Sequence, residues 1–285
     1  MKLGFNTYVY EVAKWPIEKT LKSAARQGFR HTEYAACGSG DPTKMSAQQR
    51  KQIIKLNADL GLYSSQMLLA EVEHMAHPDP AIRSKVLDYM KETSEFQLEM
   101  GGRQVIVCWG CGVHLPAMLP EVAWLNSIHA IRALAEWGLK DGLIVDLEVE
   151  PHTYFILNSS DKAARMIEDI GMPNVYINFD IGHFTINREP PQRIQKICTR
   201  IDHIHLSETQ GYDHTNSIIG TGTVDFASYV HQALELGIEE NCAKLGVPCV
   251  AGLEMGEPRY PVDDPDRWMK QAQEYIHKIL PELEL

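Results

Sequence analysis

The sequence predicts a (β/α)8 barrel, and three observations carry that prediction. Short runs rich in β-branched and aromatic residues alternate with amphipathic helical runs, and the alternation occurs eight times. The length of 285 residues suits one barrel, which uses about 250 residues as a single domain. The rival architecture, a doubly wound sheet, often carries a glycine-rich first β–α turn. Here that connection reads Glu11-Val12-Ala13-Lys14-Trp15 and contains no glycine. One domain over residues 1–285, without a linker or low-complexity segment, is expected.

The first strand is expected at residues 2–10. The helix after it starts at Ile17, where Ile17, Leu21, Ala24 and Ala25 take positions i, i+4, i+7 and i+8 of one face. The second strand, 29–35, leads into a helix over 46–60, the third, 62–69, into 80–100, and the fourth, 104–109, into 120–140. The fifth strand, 143–150, precedes a helix over 160–170, and the sixth, 174–180, one over 191–200. The seventh, 201–207, precedes 226–245, and the eighth, 248–255, precedes 265–280. Gly28, Gly61, Gly101, Gly142, Gly171 and Gly246 each fall just before a strand, where a left-handed C-cap is wanted. Pro16, Pro80, Pro191 and Pro265 sit near helix starts, where a missing N–H costs nothing. Trp124, Ile128, Ile131, Leu134 and Trp137 form a stripe at helical spacing. It reads as packing against the barrel, with the interface of a homo-oligomer as the lesser alternative.

Composition narrows the function. The chain has 27 Lys and Arg against 38 Asp and Glu, a net charge of −11. Phosphate backbones are bound largely by Lys and Arg, so nucleic acid is not an expected partner, nor is an anionic membrane surface. A hydrophobic content of 44% with a mean hydropathy of −0.24 is that of a globular protein and excludes disorder and collagen. No run approaches the roughly 20 apolar residues of a membrane span. The start, Met1-Lys2-Leu3-Gly4-Phe5-Asn6-Thr7, lacks the apolar stretch of a signal peptide. Six cysteines in a chain this long are not a disulfide framework. Cys108-Trp109-Gly110-Cys111 has no partner pair and reads as ordinary reduced thiols. The expected location is the cytoplasm.

A barrel of this class carries its chemistry at the C-terminal ends of its strands. Strand five ends Glu148-Val149-Glu150, strand six in Asp180, strand seven in His203-Ile204-His205, and strand eight in Glu254. Alternation puts Glu148 and Glu150 on one face, and His203 and His205 likewise. Carboxylates converging on one small mouth repel by several kcal/mol at low effective dielectric, and a divalent cation is the simple way to hold them together. Three carboxylates and an imidazole suit Mn²⁺, Mg²⁺ or Co²⁺ with open positions better than a structural zinc with thiolates. Mn²⁺ is the expected ion, with Zn²⁺ a further alternative.

These segments resemble the xylose isomerase-like barrels, the group of the sugar isomerases, the ketose 3-epimerases and the endonuclease IV relatives. The matching stretches are Glu150-Pro151-His152, NVYINFDIGH ending at His183, IDHIHLSE ending at Glu208, GTGTVDF from Gly220 to Phe226, and Glu254. The resemblance implies a metal held by Glu150, Asp180, His205 and Glu254. Glu150 is preferred to Glu148 because it stands nearer the strand end and carries the Glu-Pro pattern. His183 and Glu208 match substrate-contacting positions, and His203 is grouped with them. The implied chemistry is a sugar isomerase or epimerase: the cation stabilises an enediolate, while Glu150 and Glu254 remove and return a proton on opposite faces. A lyase using the same bases on an inosose or a keto-glycoside is the alternative, because the epimerases' Arg after the His-x-His-x-x-Glu segment is missing from Thr209-Gln210-Gly211-Tyr212-Asp213-His214. An endonuclease IV-like role is remote: strands three and four supply no histidine.

Tyr8, Trp15 and Trp109 fall at or beyond strand ends and either wall a sugar pocket or pack loop against barrel. Glu33 is read either as a hydroxyl contact or as a surface ion pair. His74 and His77 read as loop residues, and a substrate contact by His114 has no support. The substrate is expected to be a small sugar or polyol.

Overall fold

A computed structural model describes residues 1–285. Eight parallel strands close into a barrel in chain order: β1 (Lys2–Asn6), β2 (His31–Ala35), β3 (Tyr63–Leu69), β4 (Gln104–Val107), β5 (Ile144–Glu148), β6 (Val175–Asp180), β7 (Ile201–Ser207) and β8 (Val250–Glu254). The ring is completed by β1 pairing with β8, with Gly4 opposite Gly252. Around it run α1 (Tyr8–Val12), α2 (Ile17–Arg26), α3 (Ala47–Asp59), α4 (Pro80–Glu99), α5 (Pro120–Gly138), α6 (Ser160–Ile170), α7 (Ile181–Ile186), α8 (Phe226–Glu235), α9 (Ile238–Leu245) and α10 (Pro265–Ile279). No helix is long and apolar enough to cross a membrane, and all six cysteines are free.

The apolar core lies between the strands and the helical ring, and includes Trp124, Ile128, Ile131 and Leu134 of α5. Local signals set the helix ends. Ser46 accepts from the Gln49 N–H while Gln49 reaches back to the Ser46 N–H, a reciprocal cap on α3. Ser159 and Asp264 cap α6 and α10.

Two helices depart from the sequence-based expectation. Residues 191–200 form two 3-10 segments, Pro191–Lys196 and Cys198–Arg200, because the connection after β6 already spends its α-helical turn on α7. The stretch 226–245 divides into α8 and α9 at Gly237, whose φ of +89° lies in the left-handed region and stops the helix.

The interior of the barrel is unusually polar. Asn6, Glu33, Gln66, Gln104, Asp146, Asn178, Asp202, His203 and His205 are all buried there on the strands. The charged members are paired, Glu33 with His203 and Asp146 with Gln66, as a buried charge requires, whereas both polar atoms of Asn178 lack a partner.

Candidate active site at the strand ends

Strand ends β5 to β8 bring together four atoms that could hold a metal ion. Glu148, Asp180, His205 and Glu254 each offer an atom within 4.8 Å of the others, and all four residues are buried. The set takes Glu148, not the expected Glu150. β5 stops at Glu148, where it still pairs with Asn178 of β6; beyond it the chain turns, carrying Glu150 past the cluster to the wall of the pocket, 3.8 Å from His183 Nε2. Glu148 and Glu150 share a parity, so alternation alone could not separate them; the point where the ladder stops decides.

Two of the candidate ligands, Asp180 and His205, are anchored from behind, and Asp180, His205 and Glu254 each leave one atom bare in front. Asp180 caps α7: its Oδ1 accepts from the His183 N–H and from Ser207 Oγ, both at 2.7 Å, while Oδ2 is buried without a partner. Gln66 donates to Asp146 Oδ2 at 2.8 Å, so its Oε1 is free to accept, and His205 Nε2–H donates to it at 3.1 Å. That leaves Nδ1 of His205 as the bare nitrogen. Nδ1 lies 2.7 Å from Glu254 Oε2, yet neither atom meets the angles of a hydrogen bond and both are without a partner.

The electrostatics favour a group that relieves repulsion between these carboxylates. Burial pushes the Asp180 carboxyl up to about 7, with the Glu254 charge adding to it. Burial likewise raises Glu148. Glu150 is driven well above its ordinary range by burial and then by Glu148, Asp180 and Glu254. Burial works against His205 ionising, but Glu254, Glu148 and Glu33 outweigh it and hold the imidazole well above its usual range. Burial would raise Glu254 too; the adjacent His205 reverses this and holds it low. Three bare, buried ligand atoms of oxygen and nitrogen character fit a divalent metal, and a hard one by their carboxylate majority.

Other expected residues fall in varied places. His183 lines the pocket: its Nδ1–H donates to Val149 O at 3.0 Å, and Nε2 stands 2.8 Å from Nε2 of His214. Trp109 and Tyr8 line it as well. Trp15 does not; it packs edge-on against Tyr10 at 5.3 Å, under the Lys19 ammonium. His203 lies one layer deeper than His205, with Nε2 2.7 Å from Glu33 Oε1, and so is a core residue; two residues of strand separate layers by about 6.6 Å. Glu33 is therefore fully buried: burial alone would raise its carboxyl, but His203 and then His205 pull it down to about 2. Glu208 is also buried, accepting from the N–H groups of Gly220 and Val224 at 2.8 and 3.2 Å, so it shapes the loop after β7 instead of meeting a ligand.

Sequence reasoning passed over Gln66, Asp146, His152, His214 and Arg259. Gln66 and Asp146 point inward by strand parity, which is the signal that could have found them. The arginine absent from the β7 loop has a counterpart on another loop: Arg259, in the connection after β8, lines the pocket and donates to His214 O at 3.0 Å and Glu257 Oε1 at 3.0 Å. Because Gln66 fixes the His205 tautomer, Gln66→Leu is expected to weaken metal binding about 10- to 100-fold with the fold intact, measured by metal titration and circular dichroism.

Residues 21–279 match the family described as xylose isomerase-like TIM barrel. The L-ribulose 3-epimerase of Mesorhizobium japonicum is 25% identical over 247 residues, covering 84% of this chain and 79% of its own. Among solved structures, the D-allulose 3-epimerase of Methylomonas sp. superposes with a TM-score of 0.78 at 20% identity, covering 98% of both chains. The IolI protein, solved with a zinc atom bound, gives a TM-score of 0.80 at 15% identity over 99% of both chains. With its closed eightfold barrel and a match over most of its length, this chain belongs to the xylose isomerase-like TIM barrel family.

Proposed function

We propose that the protein is a divalent-metal-dependent sugar isomerase or epimerase of the ketose 3-epimerase kind. The observation that carries this reading is the convergence of Glu148, Asp180, His205 and Glu254, with bare ligand atoms, at the floor of a cavity of about 920 Å³ that Glu148 and Glu254 line directly. Epimerase relatives in the same family support the class of reaction.

Glu148, Asp180, His205 and Glu254 would hold a divalent cation, which when bound would supply Lewis-acid polarisation of a sugar carbonyl and so acidify the neighbouring C–H. Glu148 and Glu254 come from different strands, β5 and β8, and both line the cavity; in this reading one carboxylate takes the proton from carbon and the other returns a proton to the opposite face. Glu254 lines the cavity and supplies the second carboxylate for proton transfer. His183, kept neutral by burial, offers Nε2 to a substrate hydroxyl. Glu150, whose carboxyl is pushed up by burial and by the neighbouring carboxylates, lines the cavity beside His183 and contacts the substrate there.

An endonuclease role conflicts with the charge of the pocket, where Glu11, Glu71, Glu148, Glu150, Glu254 and Glu257 face Lys14 and Arg259; a phosphodiester would be repelled. The test is incubation of Mn²⁺-loaded protein with L-ribulose and D-allulose in deuterated water. A stereoisomer carrying one deuterium at the inverted carbon is expected. A dehydrated or cleaved product would replace this reading with the lyase, and no exchange into either ketose or a wider ketose panel would overturn it.

A further inference from the structure

The cavity is much larger than a free ketose needs. A volume of about 920 Å³ stands near the top of the roughly 300–1,000 Å³ that hold drug-sized ligands, and a single sugar ring at the metal floor fills only a small part. The outer part has its own chemistry. A run of rings lines the wall: His183 to His214 at 4.7 Å between centroids, His214 to His152 at 6.5 Å, His152 to Tyr154 at 5.4 Å and stacked, Tyr154 to Phe155 at 4.4 Å, and Phe155 to Trp109 at 6.2 Å. Across the mouth stands Tyr260, on the loop after β8. Trp109, Tyr154 and Tyr260 are 41%, 49% and 42% exposed, which puts three large rings in water at one opening.

The backbone at Trp109 is strained to keep it there. Trp109 and Cys111 have φ of +57°, and the intervening Gly110 has +52°; a non-glycine residue in that region is costly and persists where surrounding structure forces it, commonly at ligand sites. The turn is pinned by Trp109 Nε1–H donating to Ala70 O at 2.6 Å and by the Leu157 N–H donating to Gly110 O at 2.8 Å. A side chain at position 110 would meet Phe155 Cβ at 2.6 Å, so the turn is held against the ring wall.

The mouth is poor in free positive charge. Arg259 is committed to Glu257 and His214 O, with Asp213 3.5 Å away, which leaves Lys14 facing Glu11 and Glu71 among the lining groups. A phosphorylated substituent has no receptor here, while the apolar face of a ring has several.

We infer that the substrate is an uncharged ketose carrying a second ring on the end away from the carbonyl, that ring stacking in the aromatic outer half between Trp109, Tyr154 and Tyr260. This inference rests on the epimerase reading above and names the substrate class of the same site. It is tested with the Mn²⁺-loaded protein by deuterium incorporation into three ketoses: D-fructose, D-fructose 6-phosphate, and isomaltulose, whose glucosyl ring sits on the 6-hydroxyl of a fructose unit. The expected kcat/KM for isomaltulose exceeds that for fructose at least tenfold, with the phosphate poorest. Tyr154→Ala, and separately Tyr260→Ala on the facing loop, are expected to shrink the isomaltulose-to-fructose ratio at least fivefold. Exchange that is fastest with fructose or with the phosphate overturns the inference and leaves the epimerase reading standing. Exchange into none of the three overturns the inference, and if L-ribulose and D-allulose also fail to exchange, the epimerase reading falls with it. A ratio unmoved by both variants overturns the assignment of the second ring to this wall.

Discussion

Glu148→Gln is expected to lose its bound metal and to reduce turnover by about 10³-fold or more, while Glu150→Gln keeps the metal and loses about tenfold. The first figure combines removal of a proton-transferring carboxylate, worth roughly 10²–10⁴, with loss of one ligand of four. The contrast matters more than either number. Both glutamates are buried and both stand high in the carboxyl range, so burial and charge do not distinguish them. Distance does: Glu148 Oε1 lies 3.4 Å from His205 Nδ1, whereas Glu150 approaches only His183. Metal content of the two purified variants, measured beside deuterium incorporation, decides the matter. Metal lost from Glu150→Gln and retained by Glu148→Gln would reverse the assignment.

Gly252→Ala is expected to destabilise the fold by about 3–5 kcal/mol, the usual cost of leaving a buried ion without its partner. The glycine is in β8, and a Cβ there would collide with the Glu33 carboxylate lying across the barrel. Glu33 cannot retreat cheaply, because Asn6 Nδ2 donates to it at 3.0 Å and His203 Nε2 stands 2.7 Å away. Chemical denaturation gives the loss of stability. The double variant Gly252→Ala with Glu33→Ala should fall short of the sum of the single effects by more than 1 kcal/mol, the mark of groups in contact. An additive double variant would show that the two positions do not communicate.

The eightfold alternation was plain in the sequence because each helix shows its face and each strand is short and apolar, and those signals are local. The convergence of β5 to β8 was legible for the same reason: strand ends in a barrel meet by topology alone. The sequence is silent where the placement of a residue depends on depth along a strand or on how a loop folds back. Glu150 and Glu148 have one parity, as do His203 and His205, and only the register of neighbouring strands says which of each pair reaches the mouth. Glu208 has a sugar-binding pattern around it, but the chain folds back so that its carboxylate meets the Gly220 and Val224 amides. Gln66 and Arg259 escaped notice because an amide and a loop cation carry no spacing signature; their roles exist only once other strands and loops are beside them.

The polar filling of the barrel has a consequence for how the molecule is assembled. Glu33 on β2, Gln66 on β3 and His205 on β7 touch only across a closed ring, and the ring closes between the first strand and the last. Glu254 sits on that last strand. During refolding, then, pairing of β5 to β8 brings the four ligands near one another, but His205 gains its Gln66 and Glu33 neighbours only when the seam between β1 and β8 shuts, so tight capture of a metal ion is expected at that step. Metal uptake followed in time against helical content would thus serve as a clock for the moment the barrel shuts.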